Sequence, residues 1–262
     1  MAEFAGYDPG MFCWIDTATT DAEASKTFYA GLFGWEAADQ ATPDGGVYTM
    51  YGKGGKPVAG GGTLADELVA MGVASHWMSY VAVDDVAAAL AKVAAAGGTP
   101  MGPPIPIGES GVMGVFSDPT GATCSLWQAG AHYGAALANE DGTLIWNELV
   151  TNDVEAAAAF YTEVFGWGRQ VHDMPNGPYH VFTDGERARA GMMAITAEMG
   201  EMPPSWSVYF AVDDIDAAAA RVGELGGRVE GGIMEAPGVG RFAVAADPTG
   251  AYFMLMESAP PA

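Results

Sequence analysis

Two acidic residues stand beside tryptophans in short apolar segments of this 262-residue chain. Asp16 follows Trp14 in FCWID, and Glu148 follows Trp146 in LIWNE. A carboxylate among indole rings can have a raised pKa and act as a general acid or base, or it can accept a hydrogen bond from a ligand hydroxyl or amine. A structural role, in which the carboxylates accept hydrogen bonds from backbone N–H groups or from the indoles, is an equally good interpretation.

The two acids occupy matching positions of an internal repeat. The octapeptide FYAGLFGW at 28–35 returns as FYTEVFGW at 160–167. Farther along the chain, YVAVDDV at 80–86 matches YFAVDDI at 209–215, and both halves contain DPTGA. The offset falls by three residues between these two matches, which one loop of different length explains. The chain is therefore a tandem duplication.

Length and composition fit two domains of common size. Half of the residues are hydrophobic and 11% are aromatic, so we expect each half to bury its own core. The predicted domains are residues 8–129 and 143–258, joined by a linker at 130–142.

The charge of the chain limits its partners. A net charge of −23 repels phosphate backbones and anionic lipid surfaces, so neither nucleic acid nor a membrane is an expected partner. No apolar run approaches the roughly 20 residues of a membrane span, and the N-terminus does not resemble a signal peptide. We therefore expect a soluble cytoplasmic protein. Cys13 and Cys124 match neither a disulfide framework nor a metal motif.

A recurring pattern of elements positions the two acids. A strand, an acidic cap, a helix and a glycine stop occur four times, with the caps at Asp21, Asp84, Asp153 and Asp213. Short strands without crossover helices follow each helix, and such strands pair as antiparallel hairpins. We therefore predict an α+β fold of curved mixed sheets, with helices on one face and a concave face free to hold a ligand. Aromatic residues of the octapeptides should anchor the helices to the backs of the sheets.

Paired βαβββ modules, with FY..LFGW closing the first helix and DPTG before the last strand, resemble the vicinal oxygen chelate superfamily. This superfamily includes glyoxalase I, bleomycin-resistance-type proteins and extradiol dioxygenases. The resemblance covers the chain from about Gly10 to Glu257. The duplicated pattern is similar to the two-domain actinobacterial group, often labelled glyoxalase or hydroxylase, that includes the mycobacterial 27 kDa antigen. The resemblance implies a tandem pair of glyoxalase-like domains, but it implies no single activity because the superfamily hosts many chemistries.

The resemblance also implies positions for metal ligands, and this chain fills them with other residue types. The six positions that carry over hold Trp14, Met78 and Ser125 in the first half and Trp146, Ser207 and Met254 in the second. A transition-metal site needs three or four N, O or S donors converging on one point. The four histidines, none of which has a counterpart in the other half, are His76, His132, His172 and His180. We expect neither a metal nor another cofactor. Strand alternation places His76 on the concave face, so a shift in strand register could let it reach the cavity.

If Trp14 occupies the ligand position, strand alternation assigns the remaining faces. Phe12 then shares the concave face, whereas Cys13, Ile15 and Ile145 point to the back. The expected ligand-binding residues are Trp14, Asp16, Met78, Tyr80, Ser125 and Trp127 in the first half, and Trp146, Glu148, Ser207, Tyr209, Tyr252 and Met254 in the second. Such an aromatic and methionine-rich lining suits a flat, mostly apolar molecule.

The leading interpretation is a metal-independent protein that binds or sequesters an aromatic metabolite or natural product. The alternative is a cofactor-independent enzyme of secondary metabolism, hydroxylase-, isomerase- or lyase-like, in which Asp16 or Glu148 acts as acid or base. A metal-dependent glyoxalase or dioxygenase is a third reading. Single-copy relatives pair as dimers, so the fused chain is expected to be a monomer with an internal pseudo-dimer.

Overall fold

The computed structural model describes residues 2–42, 45–174 and 177–260. The strands of the first half are β1 Ala2–Glu3, β2 Phe12–Thr19, β3 Glu36–Ala41, β4 Val47–Lys53, β5 Lys56–Thr63, β6 His76–Ala82, β7 Thr99–Pro100, β8 Ile105–Ile107, β9 Gly111–Ser117 and β10 Thr123–Ala129. Its helices are α1 Ala22–Phe33, α2 Asp66–Ala70 and α3 Val86–Ala95.

The second half repeats this order. Its strands are β11 Leu137–Ala138, β12 Leu144–Thr151, β13 Gly168–Met174, β14 Gly177–Asp184, β15 Arg187–Ala194, β16 Ser205–Ala211, β17 Arg228–Ala236, β18 Gly240–Ala246 and β19 Tyr252–Ser258. Its helices are α4 Val154–Phe165 and α5 Ile215–Glu224, and a 3₁₀ turn spans Ala197–Met199. No helix in the described part of the chain is both long and apolar enough to span a membrane.

Each half forms one mixed sheet. The strand order is β3-β4-β5-β2-β6-β10-β9-β7 in the first sheet, with β8 also paired to β9, and β13-β14-β15-β12-β16-β19-β18-β17 in the second. The pairs β2–β5, β6–β10, β12–β15 and β16–β19 are parallel, and the remaining pairs within these sheets are antiparallel. The predicted α+β fold with a tandem duplication is confirmed.

Acidic residues cap the four longer helices. Asp21, Asp85, Asp153 and Asp214 each accept a hydrogen bond from the backbone N–H three residues later. Such a cap satisfies a donor that has no partner within the helix. Two caps therefore lie one residue after the predicted Asp84 and Asp213. Helices α1 and α4 end at Gly34 and Gly166, whose φ angles of 70° and 73° fall in the left-handed region that glycine adopts without strain.

The hydrophobic cores are shared between the halves. One core joins α1 to α5 and to β16, β18 and β19 of the second sheet; the other joins α4 to α3, β9 and β10 of the first. Phe33 of α1 lies 4.9 Å from Phe210, and Phe160 of α4 lies 5.9 Å from Phe116, between ring centroids. The expectation that each half buries its own core is wrong, because the apolar helix faces pack against strand residues of both sheets.

The two repeated motifs pair with each other across the halves. The Tyr29 hydroxyl of the first octapeptide donates to Asp247 Oδ2 of the second DPTGA at 3.1 Å, and Tyr161 donates to Asp118 Oδ2 of the first at 3.0 Å. The other oxygen of each aspartate accepts backbone N–H groups of its own turn. Both aspartates are buried, and buried carboxylates need such partners. The tyrosine of each octapeptide therefore links its own half to the other half through a buried hydrogen bond.

Candidate functional site

A β-bulge precedes the tryptophan of each central strand. Phe12 pairs with Val81 and Trp14 with Tyr80, so Cys13 is an extra residue in β2. The Phe12 ring consequently lies on the back of the sheet, 5.0 Å from the ring of Trp206, whereas Cys13 clusters with Trp14. The predicted faces of Phe12 and Cys13 are wrong, because an extra residue reverses the alternation.

The same irregularity occurs in β12, between Leu144 and Trp146. Leu144 is in the core, and Ile145 is not, so the predicted back position of Ile145 is also wrong.

Three rings surround Asp16 on the concave face of the first sheet, which we call the first cup. The Tyr80 hydroxyl donates to Asp16 Oδ2 at 2.8 Å, and the Tyr48 hydroxyl donates to the same oxygen at 3.1 Å. The Trp14 Nε1–H donates to the Tyr48 hydroxyl at 3.0 Å. Asp16 is thus held by phenols and, through one of them, by an indole.

The second cup, on the concave face of the second sheet, contains the same network. The Tyr209 hydroxyl donates to Glu148 Oε1 and the Tyr179 hydroxyl to Glu148 Oε2, both at 2.6 Å. The Trp146 Nε1–H donates to the Tyr179 hydroxyl at 3.1 Å. Each cup therefore contains one tryptophan, two tyrosines and one carboxylate in the same hydrogen-bonded arrangement, with an aspartate in the first cup and a glutamate in the second.

Sequence reasoning missed Tyr48 and Tyr179. They lie on β4 and β14, which are not neighbours of the strands that carry the acids, and a glycine makes room for each of them. A Cβ at Gly60 would lie 1.9 Å from the Tyr48 hydroxyl, and a Cβ at Gly191 would lie 1.9 Å from that of Tyr179. These glycines pair directly with Asp16 and Glu148. The available signal was the recurrence of a tyrosine and a strand glycine in both halves.

Burial controls the electrostatics of both cups. It raises the pKa of Asp16 to about 6, with the hydroxyls of Tyr80 and Tyr48 partly offsetting the shift. Burial likewise raises the pKa of Glu148 against the effect of its two phenol donors. The pKa values of Tyr80 and Tyr209 lie well above the usual range, first through burial and then through the neighbouring carboxylate. The phenols therefore stay protonated and act as donors, while Asp16, whose pKa is raised to about 6, can exchange a proton near neutral pH.

The other predicted residues of the first cup gather around this network. Met78 lies opposite Asp16, and Ser125 lies opposite Tyr80 on the neighbouring strand. Trp127 belongs to the same apolar cluster as Trp14 and Tyr80.

In the second cup, Ser207 lies opposite Glu148 and Met254 opposite Tyr209. Tyr252 lies apart from the network. The residue is 51% exposed, and its hydroxyl accepts a hydrogen bond from Arg228 at 2.7 Å.

The segment after β10 covers the first cup. The ring of His132 stands edge-on to Trp14 at 4.6 Å between centroids, and its carbonyl accepts a hydrogen bond from Trp127 Nε1 at 2.8 Å. Ala135 joins the same cluster, and its carbonyl accepts a hydrogen bond from the Tyr7 hydroxyl. Trp14 is consequently only 4% exposed, whereas Trp146 of the second cup is half-buried.

The residues of the cups do not fit a metal ion. In residues 2–42, 45–174 and 177–260, no group of three or more His, Cys, Asp or Glu side chains could hold one. Each cup contributes a single carboxylate surrounded by indole, phenol and glycine. His76 does not extend the set, since its Nδ1 hydrogen-bonds the Ala74 carbonyl two residues away.

Comparison with known proteins gives similarity in both sequence and fold. The chain is 43% identical over 262 residues to "Putative glyoxylase CFP32" of Mycobacterium tuberculosis, covering 99% of each chain. It is 35% identical over 270 residues to the anthracycline biosynthesis protein DnrV of Streptomyces peucetius, covering 98% of this chain and 95% of the relative.

Two solved structures share the fold at low identity. The Mn(II)-bound glyoxalase from Novosphingobium aromaticivorans has a TM-score of 0.65 at 19% identity, with 95% of this chain and 82% of that chain covered. The 2,3-dioxygenase LapB from Pseudomonas sp. KL28 has a TM-score of 0.65 at 14% identity, with 97% and 95% covered. The family model for the Glyoxalase/Bleomycin resistance protein/Dioxygenase superfamily matches residues 13–126 and 143–255. This chain therefore belongs to that superfamily and carries its domain twice.

Proposed function

We propose that this protein binds a planar, mostly apolar metabolite in its cups without a metal ion, using aromatic rings for contact and a carboxylate for orientation. The observation that carries the proposal is the network of tryptophan, two tyrosines and one carboxylate on each concave face. Sites for small molecules are typically apolar and aromatic, with a few polar groups that fix orientation.

The residue types favour stacking and hydrogen bonding over metal chemistry. Indole and phenol rings provide flat apolar surface, and Met78 and Met254 beside them are flexible enough to adapt to a ligand. A metal ion needs several N, O or S donors that converge on it. Beside Asp16 this chain has Trp14 and Gly60, neither of which has a side chain that provides such a donor. The absence of a metal-binding group among the described residues supports the same reading.

The relatives suggest a first probe. DnrV is named for anthracycline biosynthesis, so a hydroxylated anthraquinone is a reasonable test ligand. Titration of the metal-free protein with 1,4-dihydroxyanthraquinone in the presence of EDTA should quench tryptophan fluorescence saturably and raise the Tm, because a ligand that binds only the folded state stabilises it. Binding that requires added Mn²⁺, or stoichiometric metal in protein purified without a tag, would contradict the proposal.

A second candidate function is acid–base catalysis without a cofactor, and the raised pKa of Asp16, about 6, favours it. Asp16→Asn separates the two functions, because asparagine retains a hydrogen-bonding oxygen but cannot transfer a proton. If the variant binds the ligand but no longer converts it, the protein is an enzyme. If binding falls in parallel, Asp16 is a recognition group.

We also propose that the chain is a monomer. The two sheets already pair within one chain through shared cores, which is the contact that single-domain relatives would make as dimers. Light scattering should give a mass near 27.0 kDa. A mass of twice that value would contradict the proposal.

A further inference from the structure

The two carboxylates use their oxygens differently. Glu148 accepts one phenol hydrogen bond on each oxygen. Asp16 accepts both on Oδ2, and within the described residues nothing donates to its Oδ1. The first cup therefore has a spare acceptor that the second cup lacks.

Two further polar atoms of the first cup are without a strong partner. Ser125 Oγ and His132 Nε2 are both buried, and neither has a well-directed hydrogen bond to a described residue. Ser125 lies near enough to the Tyr80 hydroxyl to work against the rise in the pKa of that phenol, so its contact there is weak rather than absent. The strand position that matches Ser125 in the second cup is Met254, which carries no such group. The first cup thus has polar atoms without a strong partner at positions where the second cup has no polar group.

Asp16 and Ser125 lie on strands of the first sheet, and His132 lies in the segment that covers it. Trp14 pairs with Tyr80, and Tyr80 pairs with Ser125 on the next strand. The Tyr80 hydroxyl binds Asp16, and the His132 ring packs on Trp14. All three side chains therefore lie around the same two aromatic rings.

A buried polar atom without a partner costs roughly as much as a lost hydrogen bond, so proteins keep few of them without reason. We infer that the first cup is the ligand site and that a planar hydroxylated aromatic molecule hydrogen-bonds there to Asp16 Oδ1, Ser125 Oγ and His132 Nε2. The inference rests on the proposed function and assigns it to one cup. Burial lowers the pKa of His132, so the imidazole is neutral and able to donate or accept.

The site needs an approach route, because Trp14, Tyr80 and Trp127 are each less than a tenth exposed. Trp127 also lines a cavity of about 210 Å³ together with Tyr7 and Tyr133.

The experiment compares the affinity for 1,4-dihydroxyanthraquinone with the stability of the free protein. His132→Phe keeps the ring packing and Ser125→Ala keeps the backbone, while each removes one unpaired polar atom. Each variant should weaken binding about fivefold, the value of one neutral hydrogen bond, in a titration that saturates at one probe per chain. Each should also raise the Tm of the free protein by about 2–4 °C, because an unsatisfied buried group is gone. A side chain with a purely structural role would not combine weaker binding with higher stability.

His172→Phe is the matched control, since His172 is exposed on β13, and it should change neither quantity. Unchanged affinity in both His132→Phe and Ser125→Ala would overturn the inference. Loss of binding in Glu148→Gln, with affinity kept in those two variants, would also overturn it by placing the site in the second cup. A wild-type protein that does not bind the probe at all would contradict the proposed function itself.

Discussion

The first and second cups share one hydrogen-bond network but differ in how complete it is. Glu148 is one methylene longer than Asp16, and each of its oxygens accepts its own phenol donor. Asp16 receives both donors on one oxygen and lies under a covering segment that brings in His132. The duplication therefore produced two similar networks. Within the described residues, each oxygen of Glu148 has a phenol donor, whereas both phenol donors of Asp16 bind one oxygen. The two cups therefore differ more in which carboxylate oxygens have a hydrogen-bond donor than in the type of acidic residue they contain.

The largest expected effect on stability tests whether the two halves, each with its cup, unfold together in one cooperative transition. Phe33 is 5% exposed and packs on Phe210 of the other half. Phe33→Ala should lower the free energy of unfolding by about 3–5 kcal/mol, and urea unfolding should remain a single transition because both halves share the core. Its counterpart, Phe165→Ala, should cost less, since Phe165 is only partly buried. Two separate transitions, with only one shifted, would show that the halves unfold independently.

The next effect concerns the buried links between the halves. Tyr161 is the single side-chain donor to Asp118 Oδ2 among the described residues, whereas Asp247 Oδ2 also has Ser25 Oγ at 3.4 Å besides Tyr29. Tyr161→Phe should therefore cost about 1.5–3 kcal/mol of unfolding free energy, and Tyr29→Phe should cost less.

The control for these two variants is Tyr252→Phe, which should change stability by less than about 0.5 kcal/mol because Tyr252 lies on the surface. Equal losses in all three variants, measured by urea titration, would argue against a specific role for the buried links.

A smaller effect separates the two networks directly. Tyr179 is the donor to Glu148 Oε2, so Tyr179→Phe leaves that oxygen without its phenol. Tyr48→Phe leaves Asp16 Oδ2 still bonded to Tyr80. We expect a loss of about 1–2 kcal/mol in unfolding free energy for Tyr179→Phe and about half of that for Tyr48→Phe. The reverse order in thermal and urea unfolding would mean that the unpaired oxygen does not distinguish the cups.

The last expected effect is a change in the pH dependence of stability. The pKa of Asp16 is raised to about 6, whereas an unfolded aspartate titrates near pH 3.9, about two units lower. Between about pH 4 and 6 the folded state binds more protons at this site, so Asp16 makes the free energy of unfolding fall as pH rises. Asp16→Asn removes this contribution, and the variant should gain stability relative to wild type from pH 4.5 to pH 7.

Glu148→Gln is the matched variant for the second cup, and its effect should have the same sign, because burial also raises the pKa of Glu148. If the stability difference between Asp16→Asn and wild type were the same at both pH values, Asp16 would titrate as an ordinary exposed carboxyl group.

Much of the fold was accessible from the sequence. The recurrence of the octapeptide and of DPTGA revealed the duplication, and the apolar periodicity and acidic caps placed the starts of the four longer helices within a residue. The short helix Asp66–Ala70 was not predicted. The paired Asp16 and Glu148 were recognised because their tryptophan neighbours repeat as well. The faces of Phe12 and Ile145 were assigned wrongly because strand alternation assumes an unbroken register, and a one-residue bulge reverses it. The role of His132 was not foreseen, since nothing local in a linker indicates which cup it will cover.

The sequence alone determined that two copies of one domain type exist, where their helices begin, and which carboxylates stand among aromatic residues, because these features depend on local spacing and composition. The tertiary structure alone decided that each core combines the two halves and that Tyr48 and Tyr179 reach the carboxylates over Gly60 and Gly191. It also decided that, within the described residues, both phenol donors of the first cup reach the same oxygen of Asp16. These features depend on contacts between segments far apart in the chain, which follow from packing and not from any local pattern.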